Sequence, residues 1–250
     1  MNILFAGGVH VRRAASRGHM RNHWLNARFS FSFGGYRDPL WDGFGDLIAL
    51  NEDIVEPGTG FDMHPHKDIE IFLIPLSESV LHEDNLGNKA VVKPGDVQKL
   101  RAGRGIWHSQ KNASKVSRDH HLQIWIRPRT SGLDPLVEQR GFDVAGRQGR
   151  WQLLVSDDGR DDSLSVDQDV CVQMARVDVG QRIRYSALSD GRSLYLHLVR
   201  GSVDVRMVGD AMRLERGDAW LVKASCNEVE IFAHGDSEAE ILLFDLAPVR

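Results

Sequence analysis

Two histidines flank a proline in the segment GFDMHPHKDIEIF, residues 60–72, and the residues that follow favour a β-strand. Alternate side chains of an extended backbone lie on one face, so His64 and His66 are expected to point in the same direction. Two imidazoles on one face could bind a transition-metal ion. With 11 histidines in 250 residues, an H-x-H spacing also arises by chance in roughly one such chain in two. A solvated loop is therefore an open alternative for both residues.

A second segment, GRGIWHSQKN at residues 103–112, offers His108 and Gln110 with the same alternate spacing. Two short segments of this kind can meet inside a small barrel and surround one ion. Imidazole suits iron, zinc, copper or nickel, and an oxygen donor beside it favours iron or manganese. The alternative for His108 is a hydrogen-bonded barrel residue, and Trp107 could either wall a flat aromatic substrate or pack in the core.

The elements that must position these side chains are predicted to be β-strands. Runs rich in β-branched and aromatic residues recur without intervening helical periodicity, and Gly- and Asn-containing turns such as HEDNLGNK (82–89) separate them. Closely spaced strands of this kind predict an all-β protein of antiparallel sandwiches or barrels. The runs are IEIFLIPL (69–76), AVVKPGD (90–96), HLQIWIRP (121–128), WQLLVS (151–156), SLYLHLV (193–199), DAWLVKA (218–224) and AEILLFDL (239–246).

The two halves of the chain resemble each other. Residues 76–100 and residues 198–222 both read strand, turn, strand, x-Gly-Asp turn and strand. This pattern predicts two similar barrels in tandem, although shared hairpin composition would also produce it. Residues 127–150 lose strand character and gather Gly, Pro and charge, as expected of a connector.

Composition restricts the class of protein. A net charge of -4 and the lack of a long Lys/Arg run give no support for nucleic-acid binding. The two cysteines, Cys171 and Cys226, form no C-x-x-C pattern and fit a reducing compartment. No apolar run is long enough to cross a bilayer, so we expect no membrane association and a cytoplasmic location.

Several long segments resemble the pirin family, and specifically bacterial pirins similar to quercetin 2,3-dioxygenases. The spacing G-x5-H-x-H-x3-E, from Gly58 to Glu70, is that of the first cupin motif, in which we take Glu70 itself to be a surface charge. The resemblance covers nearly the whole chain. The segments that carry it are RNHWLNARFSFSFGGYRDP, NEDIVEPGTGF, HPHKDIEIF, HEDNLGN, KPGDVQKLRAGRGIWHSQKN, LQIWIRP and EILLFDLAPV.

This resemblance implies a bicupin, in which two antiparallel jelly-roll barrels follow each other. We expect an N-terminal barrel over residues 1–130 with a metal site, a connector over 131–150, and a C-terminal barrel over 151–250 without one. The distribution of histidines agrees, because the second half has His197 and His234 but no H-x-H.

The resemblance also implies the ligand set. Members of the family bind one mononuclear metal, usually iron, through three histidines and a glutamate. The matching histidines are His64, His66 and His108, while Gln110 occupies the position of the glutamate. We expect Fe(II), with other transition metals possible. A carboxamide brings no charge and accepts no proton, so Gln110 could orient a substrate hydroxyl but could not serve as its base.

Three hypotheses for the function follow. The first is a dioxygenase that acts with O2 on a flavonol or another small phenolic substrate. The second is a non-catalytic metal-binding protein that responds to redox state or binds a protein partner, which the substitution at position 110 favours. The third is a structural barrel with a vestigial site.

Overall fold

The computed structural model describes residues 8–207, 211–223 and 228–248. Within these residues the chain forms β-strands and three short 3₁₀ turns but no α-helix, which confirms the all-β prediction. No helix in this part of the chain is long and apolar enough to span a membrane. Cys226 and the end of the predicted run 218–224 lie outside the described residues.

The strands, numbered in chain order, are β1 Val9–Arg12, β2 Gly18–Arg21, β3 Leu25–Phe29, β4 Leu47–Val55, β5 Gly60–His66, β6 Glu70–Ser77, β7 Val80–Asp84, β8 Lys89–Val92, β9 Asp96–Arg101, β10 Ile106–Asn112, β11 Asp119–Ile126, β12 Leu136–Gly141, β13 Gln152–Ser156, β14 Leu164–Ser165, β15 Val170–Val177, β16 Arg182–Ser186, β17 Ser193–Arg200, β18 Ser202–Arg206, β19 Ala211–Glu215, β20 Ala219–Val222, β21 Glu228–His234 and β22 Ala239–Leu246.

Contacts divide the chain into two compact units, each built from a seven-stranded and a four-stranded sheet. Residues 18–142 form one unit, with strand orders β12-β9-β6-β11-β4-β3-β2 and β5-β10-β7-β8. The described parts of residues 1–17 and 143–250 form the other, with orders β1-β20-β17-β22-β15-β13-β14 and β16-β21-β18-β19. Antiparallel pairing dominates both units, and the predicted pair of double-sheet barrels is confirmed.

The predicted runs become strands for the expected reason, which is burial of apolar side chains. The run at 69–76 forms β6, in which six consecutive residues from Glu70 to Pro75 are buried. The hairpin predicted at 82–89 is present, because β7 ends at Asp84 and pairs antiparallel with β8, which begins at Lys89.

Two expectations are wrong. The connector contains β12, which pairs with β9 at the edge of the sheet and is half exposed. Its sequence LVEQRG therefore shows little of the apolar–polar alternation that indicates a strand. Glu70 is a buried residue at 0 % exposure and not a surface charge, and its Oε2 lies 4.0 Å from the Nζ of the buried Lys99.

The contacts group residues 1–17, as far as they are described, with the second unit, since β1 pairs antiparallel with β20. The domain boundaries at 130 and 150 stay a prediction.

The interiors of the two units differ in chemistry. The second unit holds one large apolar cluster that includes Leu196, Trp220 and Leu243. The first unit has several smaller apolar clusters. Between them lie buried polar side chains such as His82, His108, Gln110 and His121. Buried polar groups must be paired or bound to a ligand. The second unit also buries polar side chains, of which Arg192 and Asp245 pair with each other, whereas both ring nitrogens of His108 lack a hydrogen-bond partner among the described residues.

Candidate metal centre

Three histidines converge on the inner side of the first barrel. His64 and His66 lie on β5, and His108 lies opposite His64 on the antiparallel strand β10. The ring centroids are 4.8 Å apart for His64–His66, 4.6 Å for His64–His108 and 5.0 Å for His66–His108. One nitrogen from each ring lies within 4.8 Å of those of the other two. The expectation that alternate residues share a face is confirmed for His64 and His66.

A glycine permits the close approach of the two strands that carry the histidines. Gly60 begins β5 with φ +149°, and a Cβ at this position would lie 2.3 Å from the backbone oxygen of Gln110. The pairing of β5 with β10 shifts register between His108 and Gln110. Only glycine tolerates both this backbone conformation and this contact.

Burial keeps the imidazoles of His66 and His108 neutral. The pKa of His66 falls to about 4, because burial and then the charge of His64 disfavour its protonation. The pKa of His108 falls to about 2, because burial and the neighbouring rings, His82 among them, outweigh the opposing effect of Asp84. A neutral imidazole has a free lone pair, which is the form that binds a metal.

The donor set fits a metal ion. His108 is 1 % exposed, and neither of its ring nitrogens has a hydrogen-bond partner among the residues that the structure describes. Leaving such a group unsatisfied costs about 1–3 kcal/mol. The Nδ1–H of His64 donates to the carbonyl oxygen of Asp62 at 2.7 Å, which directs its Nε2 towards an ion. Three imidazoles with free nitrogens therefore suit one transition-metal ion.

Gln110 lies in the same interior, held by a chain of hydrogen bonds. Trp125 donates its indole N–H to Gln123 Oε1 at 3.0 Å, and Gln123 Nε2 donates to Gln110 Oε1 at 3.0 Å. Because an indole nitrogen can only donate, this chain fixes the orientation of both amides. The Gln110 oxygen keeps one lone pair for an ion, and its role as a ligand stays a prediction.

His82 and Asp84 support the cluster, although neither is among the residues predicted from the sequence motifs. The ring of His82 is buried 5.5 Å from that of His108, and its Nε2 donates to Asp84 Oδ2 at 2.8 Å. Asp84 also accepts from the side chain of Asn88. The alternate spacing of His82 and Asp84 is a signal for them, but it lies in the segment HEDNLGNK, whose composition predicts a turn.

A cavity of about 550 Å³ opens beside the histidines within the first unit. His64 and His66 line it together with aromatic side chains, among them Phe29, Phe33 and Trp125. The ring of Trp125 lies 5.0 Å from that of His66 in an edge-on arrangement. Trp107 is 49 % exposed and is not one of the lining residues, so neither interpretation offered for it from the sequence is confirmed.

The fold and the site together define a class of protein. The chain is a bicupin whose first barrel carries a three-histidine cluster beside an aromatic cavity. No comparable group of three His, Cys, Asp or Glu side chains occurs in the described part of the second barrel. Residues 8–126 match the pirin profile, and residues 153–246 match that of the quercetinase C-terminal cupin domain. The chain belongs to the pirin family, as its motifs indicated.

Individual relatives cover nearly the whole chain. A protein of Escherichia coli K12 named quercetin 2,3-dioxygenase is 39 % identical over 96 % of this chain and 100 % of its own length. A pirin-like protein of Caulobacter vibrioides is 36 % identical over 90 % of this chain and 93 % of its own. The crystal structure of the bacterial pirin YhhW from Escherichia coli in complex with nickel(II) superimposes with a TM-score of 0.88 at 38 % identity, covering 97 % and 100 % of the two chains.

Proposed function

We propose that the protein is a metal-dependent dioxygenase of the quercetin 2,3-dioxygenase type, acting with O2 on a flavonol or another phenolic substrate. The observation that carries the proposal is the three-histidine cluster that opens into an aromatic-lined cavity. The name of the Escherichia coli relative supports the substrate class. His64, His66 and His108 hold the metal, for which we propose Fe(II), and Gln110 completes the ligand set.

A divalent ion at this site would act as a Lewis acid towards a phenolic oxygen and as a template for O2. The residues of the chain then have distinct tasks. Phe33 and Trp125 pack edge-on with centroids 4.9 Å apart and present apolar surface to a flat ring. The amide nitrogen of Gln110, opposite the oxygen that Gln123 fixes, donates to the substrate oxygen and orients it. The apolar lining excludes water from the reacting groups.

The proposal is tested by loading the metal-free protein with Fe(II) under anaerobic conditions and measuring O2 uptake after quercetin is added. We expect uptake that depends on both iron and quercetin, and its loss in His64→Ala. The matched control is His120→Ala, since His120 bonds to Glu52 at 2.9 Å and lies outside the histidine cluster. Uptake by the wild type that does not exceed the metal-free protein rejects the activity on quercetin.

The second candidate function is that of a metal-binding regulator with a protein partner. Gln110 favours it, because a neutral amide in place of a carboxylate leaves the ion with no anionic ligand from the set. This function predicts a stoichiometric metal without turnover of any phenol. Its test is co-purification of a defined partner whose binding is lost when the metal is chelated and restored when the metal is returned.

A further inference from the structure

A second group of titratable side chains lies buried in the first barrel, separate from the histidine cluster. Asp53 on β4 lies opposite His121 on the antiparallel strand β11. His121 Nδ1 is 2.6 Å from Asp119 Oδ1, and its Nε2 is 3.6 Å from Asp53 Oδ2. The three residues are 1–2 % exposed. The imidazole thus bonds to Asp119 and lies within ion-pair distance of Asp53, to which its Nε2 makes no hydrogen bond.

This triad carries an excess negative charge. Burial acts to lower the pKa of His121, but the two carboxylates outweigh it and raise the pKa to about 9, so the ring is an imidazolium at neutral pH. Within the described residues, no Lys or Arg pairs with Asp53 or Asp119. Counted formally, two carboxylates and one imidazolium give a charge of about -1, which is unfavourable when buried, and one additional proton would neutralise it.

Asp53 also faces the cavity in which the substrate would bind. It lines the same cavity as His64 and His66. Its Oδ1 is buried and has no hydrogen-bond donor in the described part of the protein. Of the other titratable groups that line this cavity, His19 is bonded to Asn26 at 2.8 Å. The carboxylate of Asp53 therefore has acceptor capacity that no donor in the described part of the protein uses.

We propose that Asp53 is the general base that accepts the proton of the phenolic hydroxyl, with His121 and Asp119 as positioning residues. The inference rests on the proposed function and supplies the base that Gln110 cannot be. In the step, the phenolic O–H bond breaks, the proton moves to the carboxylate of Asp53, and the electron pair stays on the phenolic oxygen. The triad passes from a net charge of about -1 to neutral, and no oxidant is needed.

The test is the number of protons released when quercetin binds to the anaerobic Fe(II)-loaded protein at pH 6. Isothermal titration calorimetry in buffers of different ionisation enthalpy gives this number, and the absorption spectrum shows whether the bound flavonol is ionised. We expect the wild type to bind ionised quercetin and release almost no proton, because Asp53 retains it. We expect Asp53→Asn to release about one proton and to lose affinity about tenfold for each pH unit below neutrality.

The chain offers a closely matched control. Glu52 precedes Asp53 on the same strand, bonds to His120, and does not line the cavity. Glu52→Gln removes a carboxylate–histidine contact of the same kind on the opposite face and should behave like the wild type. If Asp53→Asn does not fold, Asp119→Asn serves instead. This change removes the excess charge of the triad at a residue that does not line the cavity, and quercetin binding should again release about one proton.

The outcomes separate this inference from the proposed function. Ionised quercetin bound to Asp53→Asn without proton release would overturn the assignment, as would a full proton released by the wild type. Absence of quercetin binding would overturn both the assignment and the phenolic substrate. Proton retention that depends on Asp53, without any O2 uptake, would support the assignment and reject the dioxygenase.

Discussion

Restoring a carboxylate at position 110 tests the metal site with a single near-isosteric change. Gln110 is 3 % exposed, so the carboxylate of Gln110→Glu would be buried at a penalty of several kcal/mol. The amide nitrogen of Gln123, which lies 3.0 Å from Gln110 Oε1, would donate to the new carboxylate and offset about 1.5–3 kcal/mol of this penalty. The metal-free variant should therefore be less stable by about 2–3 kcal/mol.

A bound dication reverses the sign of this change in stability, so that Gln110→Glu becomes stabilising. Two opposite unit charges 4 Å apart attract by about 4 kcal/mol at an effective dielectric of 20. The attraction between a carboxylate and a dication is about twice as large, so it exceeds the penalty of burying the carboxylate. Thermal unfolding with a chelator and with saturating Fe(II) measures both states. At about 2–4 °C per kcal/mol, the metal-free variant should melt about 5–10 °C lower than the wild type, while its metal-dependent increase in melting temperature should be larger.

The matched control is Gln168→Glu, a buried glutamine of the second unit, which should be destabilised equally with and without metal. If Gln110→Glu behaves like this control, residue 110 does not contact the ion and the ligand assignment fails. Quercetin turnover that appears only in Gln110→Glu would show that the natural chain has lost catalysis. A reduced turnover would show that the amide suits a different substrate.

Three further outcomes are expected. His108→Ala should lower metal affinity at least about 100-fold by equilibrium dialysis, and unchanged occupancy would remove this residue from the site. The pKa of His121 is raised from 6.5 to about 9, so its stabilisation is complete below pH 6.5 and is lost as pH rises through about 9. Urea unfolding should therefore show a loss of about 3 kcal/mol over this window, absent in His121→Gln; equal slopes for both proteins would contradict it. Gly60→Ala should destabilise the barrel by about 3 kcal/mol, because its Cβ would meet the backbone at 2.3 Å. Gly87→Ala, with φ +91° and nothing within 4 Å, should cost only about 1 kcal/mol, the strain of a side chain at positive φ. Similar losses of the two variants in urea unfolding would refute the steric argument.

The local sequence was sufficient to predict several of the strands, though not β12, and to single out His64, His66 and His108 as one group of candidate ligands. Apolar runs such as 239–246 form strands because pairing into a sheet buries their apolar side chains, and β22 has the predicted bounds. The period of two in an extended chain places His64 and His66 on one face without knowledge of any partner strand. Residue type, spacing and family resemblance therefore indicated a metal site in a β-barrel before the fold was known.

Tertiary structure decided which distant residues complete the site. Asp53 and His121 are separated by 68 positions, and only the pairing of β4 with β11 places them opposite each other. The orientation of Gln110 depends on Gln123 and Trp125, which lie on a different strand. Strand pairing brings together residues whose local periodicity carries no information about each other, so the buried charge beside the cavity follows from the fold and not from any motif.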